Sequence, residues 1–169
     1  MRNFVKIESM GKRRDARLRA LQSLYAYEVS GNTIEQIIDD PILEDQICKK
    51  PMTPNIKKFY EQLVKKTIEN MNDFDNLIKS KSANWEFDRI TIIDKIILRQ
   101  SICEFLCFPD IPPKVTIDEA IEISKVFSTE KSSKFINGIL DSILIDLSRE
   151  GRIFKKGRGL NEGTSKNKK

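Results

Sequence analysis

The sequence predicts an all-α protein, and three observations carry that prediction. Apolar residues recur at three- and four-residue spacing through most of the chain. No segment alternates with the two-residue period of a half-buried strand. The breaks between periodic stretches coincide with helix punctuation: Gly31-Asn32, Thr53-Pro54 and Asp110-Ile111-Pro112-Pro113. The periodic stretches amount to about six or seven helices.

Residues 1–10 are weakly patterned, and Met10-Gly11 directly before the first helix makes Met10 a candidate start of translation. From Lys12, the residues Leu18, Leu21, Leu24/Tyr25 and Val29 mark an amphipathic helix that Gly31 ends, glycine taking the left-handed cap without strain. Lys12, Arg13, Arg14, Arg17 and Arg19 crowd its opening turns, where the helix dipole prefers acids. A short helix is expected at Ile34 to Asp39, before Pro41. Thr53-Pro54 then supplies a cap followed by proline at the first helical position. Ile56, Phe59, Tyr60, Leu63, Thr67, Met71, Phe74 and Ile78 form one stripe, read as a single long helix.

Ile90 to Leu106 is apolar nearly all round, which marks a central helix with others packed on most of its faces. Asp94, Lys95, Arg99 and Glu104 interrupt it too often for a membrane span. Asp88 is its expected cap. Arg99 and Glu104 are expected to pair with neighbouring helices, because an unpaired buried charge is costly, and Asp94 to reach the surface from the first turns. After the proline turn, Ile117, Ala120, Ile121, Ser124 and Phe127 share a face. Thr116 and Glu119 stand in capping-box spacing, and Pro113 offers a start one turn earlier. The group Ser128-Thr129-Glu130 separates this helix from the last, striped by Phe135, Ile136, Ile139, Leu140, Ile143 and Leu147. Gly138 inside that stripe costs about 1 kcal/mol against alanine unless a close helix contact compensates. From Arg149 the chain is Gly- and Lys-rich and is expected to be disordered. The resulting division is an extension over 1–10, a helical domain over 11–148 and a basic tail over 149–169.

The chain has 169 residues, no histidine and three cysteines, Cys48, Cys103 and Cys107. That removes the usual proton shuttle and commonest metal ligand. With no apolar signal segment at the start, the odd cysteine count fits free thiols in a reducing cytoplasm. There is no nucleophile elbow, phosphate-cradling glycine loop or dinucleotide fingerprint, so enzymatic activity, cofactor and metal are not expected.

Charge is unevenly placed. Residues 1–19 carry seven Lys/Arg against two acids and residues 149–169 carry eight against two. In a chain of 30 bases and 25 acids, this leaves the body between them at a net −6. Basic ends suit a polyanion, and an acidic body suits a basic partner. The cluster at Lys12 to Arg19 reads either as a solvated helix end or as a phosphate-contacting patch.

Three stretches, KRRDARLRALQSLYAYE, NWEFDRITIIDKIILRQSICEFL and PDIPPKVTIDEAIEISKVFSTEKSSKFINGILDSI, resemble the NusB transcription antitermination family. The specific orders are D-x-x-ILR-x-x-x-x-E, IP-x-KV-x-I-x-EAIE-x-x-K-x-F and KF-x-NGIL. The resemblance implies an all-α NusB-like domain of about seven helices arranged as two small bundles. It implies binding of single-stranded boxA RNA in nascent ribosomal RNA together with the ribosomal protein NusE. NusA, NusG and RNA polymerase would complete the antitermination complex, with no membrane partner, and with monomer and homodimer both open. The matching positions assign RNA contact to Lys12, Arg13, Arg14, Arg17 and Lys134, and protein-partner contact to Tyr25 and Asp94. Lys131 stands where the family often has an acid and adds RNA-facing charge. Pro113 and Ser133 replace a frequent tyrosine and histidine, and Phe135, Asn137 and Gly138 are expected to pack rather than bind. Two other readings are an RNA-positioning domain of the kind attached to ribosomal RNA methyltransferases, and a helical protein–protein adaptor without RNA.

Overall fold

A computed structural model describes residues 12–39, 51–82 and 87–160. Among these are seven α-helices and no strand, in two compact units, residues 1–68 and 69–169. The Cys48 thiol, the Pro41 break and the 1–10 extension lie outside the described residues.

In the first unit, α1 spans Lys12–Ser30 and ends where Gly31 takes φ 71°. Its buried side is Ala16, Leu18, Ala20, Leu21 and Leu24. The expected stripe stops there, because Tyr25 and Val29 are exposed. Helix α2, Ile34–Ile38, opens with a capping box: Gln36 N–H donates to the Thr33 hydroxyl, and Thr33 N–H donates to the Gln36 side chain. Helix α3, Pro54–Glu69, begins at Thr53-Pro54 as expected and buries Phe59, Tyr60, Leu63, Val64 and Thr67. A buried 2.7 Å hydrogen bond between the hydroxyls of Ser23 and Tyr60 ties α1 to α3.

The long helix expected through Ile78 is two helices. Asn70, at φ −112° and ψ 16°, interrupts it, and α4 runs Met71–Lys81. The break keeps the three- to four-residue spacing of the apolar stripe, so periodicity alone does not register it.

In the second unit, α5 spans Ile92–Cys107 and is the buried axis, packed by α4, by α6 (Pro113–Phe127) and by α7 (Glu130–Arg149). Its residues Ile96 to Phe105 are all buried. The cap is Thr91, whose hydroxyl accepts from Asp94 N–H at 3.2 Å; Asp88 sits instead in a 3-10 turn, Phe87–Arg89. Two of the charges on α5, Arg99 and Glu104, meet partners on neighbouring helices. Arg99 donates through Nε and Nη2 to both oxygens of Asp75 at 2.7 and 2.9 Å, and Glu104 accepts from the Thr116 hydroxyl at 2.9 Å. That bond engages Thr116 away from any capping box, and Pro113 is the first residue of α6. Thr129 caps α7 by accepting from Ser132 N–H.

The expectation of disorder from Arg149 is corrected as far as Leu160. Gly151, at φ 66°, closes α7 with Arg152 N–H donating to Leu147 O at 2.9 Å, a Schellman arrangement. Residues 152–160 then return to the end of α5. Lys155 Nζ donates to the carbonyls of Glu104 and Phe108, both at 2.9 Å, and Lys156 N–H donates to Pro109 O at 2.8 Å. Gly159 lies so close to Pro109 O that a Cβ would stand 1.9 Å from it. Apolar content was too low to forecast this strap; its anchors are a lysine and two glycines.

Candidate nucleic-acid interface

The basic cluster at the start of α1 is shaped by one aromatic ring. Arg13 and Arg17, four residues apart and hence on one helix face, place their guanidiniums 5.4 and 5.6 Å from the centre of the Phe59 ring on α3. Such cation–π contacts contribute about 0.5–2 kcal/mol each and fix the direction of a long side chain. Exposure separates the two. Arg13 lies at the surface and Arg14 is half-buried, whereas Arg17 is only 5% exposed. Of the arginines that the resemblance assigns to RNA contact, Arg17 is thus the nearly buried one, its guanidinium against the Phe59 ring. The Lys12 side chain lies outside the described residues.

The second cationic helix start is in the other unit. Lys131 and Lys134, one turn apart at the beginning of α7, are both exposed. Like the α1 cluster they sit at a helix start, where the helix dipole disfavours cations. Ser133 between them points inward, its hydroxyl 2.7 Å from that of Ser124. Pro113 serves as the helix start of α6.

The two residues assigned to a protein partner fall in different units. Tyr25 is 42% exposed on the C-terminal half of α1. Asp94 is only 5% exposed, which corrects the expectation that it reaches the surface from the start of α5. Its Oδ1 is buried with no hydrogen-bond donor among the described residues. Gly138 is corrected as well: it is exposed, and a Cβ there would meet nothing within 4 Å, so no helix contact explains it. Asn137 donates across one turn to Asp141 at 3.2 Å.

Two aromatic platforms among the described residues leave no signal in the sequence pattern. Phe59 read as an ordinary stripe residue, and its arginines lie more than forty positions away. Phe87 carries Lys79 and Lys95 at 4.8 and 4.4 Å from its ring centre, and no spacing rule joins those three residues. Among the described residues no group of three or more His, Cys, Asp or Glu gathers at a metal-binding distance, and no helix is long and apolar enough to cross a membrane. Cys103 is buried and Cys107 half-buried in α5.

Comparison with known proteins agrees with the helical order. The NusB family model matches residues 14–144. A transcription antitermination protein NusB from Salinibacter ruber is 41% identical over 155 residues, covering 89% of this chain and 92% of that protein. A solved NusB structure from T. maritima is 36% identical with a TM-score of 0.69, covering 79% of this chain and 91% of that one. A chain from a crystal structure of the antitermination factors NusB and NusE in complex with dsRNA has a TM-score of 0.70. Its 20% identity, with coverage of 82% and 99%, supports the shared fold alone. On the family match and the 41% identity over most of both chains, this protein belongs to the NusB family.

Proposed function

We propose that this chain is a transcription antitermination factor. Its helical domain, residues 11–148, binds the single-stranded boxA element of nascent ribosomal RNA together with the ribosomal protein NusE. The pair then joins NusA, NusG and RNA polymerase, and the chain itself performs no catalysis. The observation that carries this reading is the outward placement of Arg13, Lys131 and Lys134 at two helix starts, where the helix dipole opposes them. Phosphates are the ligands that turn such cations into an advantage, and release of their counterions supplies affinity.

Lys12 and Arg14 extend the α1 site, and Arg17 positions it through Phe59. On the protein side, Tyr25 offers an exposed aromatic anchor. Asp94 offers a buried carboxylate oxygen that a donor from NusE would satisfy, since an unmatched buried oxygen is costly. The acidic body of the chain suits a basic ribosomal protein.

Calorimetric titration with purified NusE tests the protein half of this reading. Tyr25→Ala and Asp94→Asn should each weaken the complex by roughly 1–3 kcal/mol with helix content unchanged by circular dichroism. Undiminished affinity in both variants removes these residues from the contact.

A further inference from the structure

The C-terminal strap, residues 152–160, builds a surface that none of the RNA-facing residues above belongs to. Its cations divide by direction. Lys155 turns inward and holds the strap to the α5 carbonyls of Glu104 and Phe108, while Lys156 and Arg158 are exposed. Phe154, beside the anchor, is 70% exposed and directly precedes the two residues that hold the strap, Lys155 through its side chain and Lys156 through its backbone hydrogen bond to Pro109. Leu160 is exposed at the far end.

The strap forms one wall of an open groove of about 620 Å³ against the start of α6 and the end of α7. Pro112, Pro113, Leu144 and Phe154 supply apolar lining, Lys114 and Lys156 supply charge, and no acidic side chain among the described residues lines it. A groove of this size takes a unit as large as a nucleotide.

A solvated basic tail needs no aromatic and no anchor. Here the fold spends one lysine and the close approach of Gly159 to Pro109 on holding an aromatic ring in water among outward cations. An aromatic face flanked by cations is the combination that binds single-stranded nucleic acid: the ring stacks a base while lysine and arginine track the backbone. An acidic helical peptide would answer the charge, but it would leave the ring without the flat partner that its exposure offers.

We infer that the strap is a second single-stranded RNA contact, with Phe154 stacking a base and Lys114, Lys156 and Arg158 holding phosphates of nucleotides outside the boxA element. The inference rests on the RNA-binding reading above and adds a length of RNA to it.

Fluorescence anisotropy on the full chain separates the two. The probes are a labelled boxA-like RNA and the same RNA extended by about six uridines at its 5′ or 3′ end. The wild-type chain should bind one of the extended RNAs about fivefold to a hundredfold more tightly than the short one. Phe154→Ala should lose that gain while binding the short RNA as before, and Phe154→Tyr should keep it. Lys156→Ala with Arg158→Ala should lower the salt slope for the extended RNA by about 1–2 and leave the slope for the short RNA unchanged. Circular dichroism should be the same for all variants. If wild type binds the short RNA but gains nothing from either extension, the strap contact is wrong and the proposed function stands. The same holds if Phe154→Ala keeps the gain, or if an acidic peptide binds in a Phe154-dependent way without any gain from extension. If wild type binds neither form of RNA, the proposed function itself fails, and the strap contact with it.

Discussion

The guanidinium of Arg17 lies 5.6 Å from the centre of the Phe59 ring and is buried there, while Arg13, one turn earlier, meets the same ring from the surface. One aromatic therefore divides a run of similar cations into a holding residue and a presenting residue. Arg17→Ala should lower stability by about 1–2 kcal/mol in urea denaturation, because it removes both packing and a desolvated cation–π contact. Arg13→Ala, which loses an exposed cation–π contact, should cost no more than about 1 kcal/mol of stability and lower the salt slope of RNA binding by about 1. Equal effects of the two substitutions on both measurements would contradict the division.

Asp75 and Arg99 make a two-bonded ion pair at the edge of the α5 core, with the arginine the more deeply buried partner. Asp75→Ala leaves that guanidinium without its carboxylate and should destabilise the chain by about 3 kcal/mol. Arg99→Met with Asp75→Ala should recover much of the loss. Chemical denaturation of the two variants reads both values, and a single variant as stable as wild type would sink the account of how α5 carries its charge.

Gly138 is an exposed mid-helix glycine with open space where a Cβ would stand. Gly138→Ala should raise the free chain's stability by about 0.5–1 kcal/mol, read as a rise in Tm. A lower Tm would show that the site is tighter than its open surroundings indicate.

Burial lowers the pKa of Lys155 from its ordinary 10.5, against the opposing pull of Glu104, Asp110 and Cys107. The charged form is thus the disfavoured one in the folded chain. Its penalty is full below the folded pKa and is relieved as pH rises through that value toward 10.5. Lys155→Met, which loses the two carbonyl hydrogen bonds, should be less stable by about 1 kcal/mol near neutral pH. The gap to wild type should widen from pH 8 to pH 10 in denaturation curves, and a gap that narrows would reverse the assignment.

Much of the fold was legible because its signals are local. Glycine at position 31, the pair Thr53-Pro54, Thr129 before α7 and the apolar circumference of α5 each act within one or two turns. The misses have equally physical causes. Asn70 breaks a helix without disturbing the apolar period, and Thr91 outcompetes Asp88 as a cap by standing directly before the first helical turn. The strap is held by backbone carbonyls and glycines that leave no hydrophobic trace. For the candidate site, the sequence yielded which residues carry charge at helix starts. It could not rank Arg13 over Arg17 or foresee that Asp94 is buried, because both outcomes depend on side chains far away in the chain.

The measurement that bears most directly on the central claim is a mobility-shift titration of the full chain with boxA-like RNA and a scrambled RNA of the same length, at several salt concentrations, with and without NusE. Binding of the boxA-like RNA should be tighter, should gain further on adding NusE, and both complexes should be lost as salt rises. Equal binding of the two RNAs in the presence of NusE, or no binding of either, would contradict that claim.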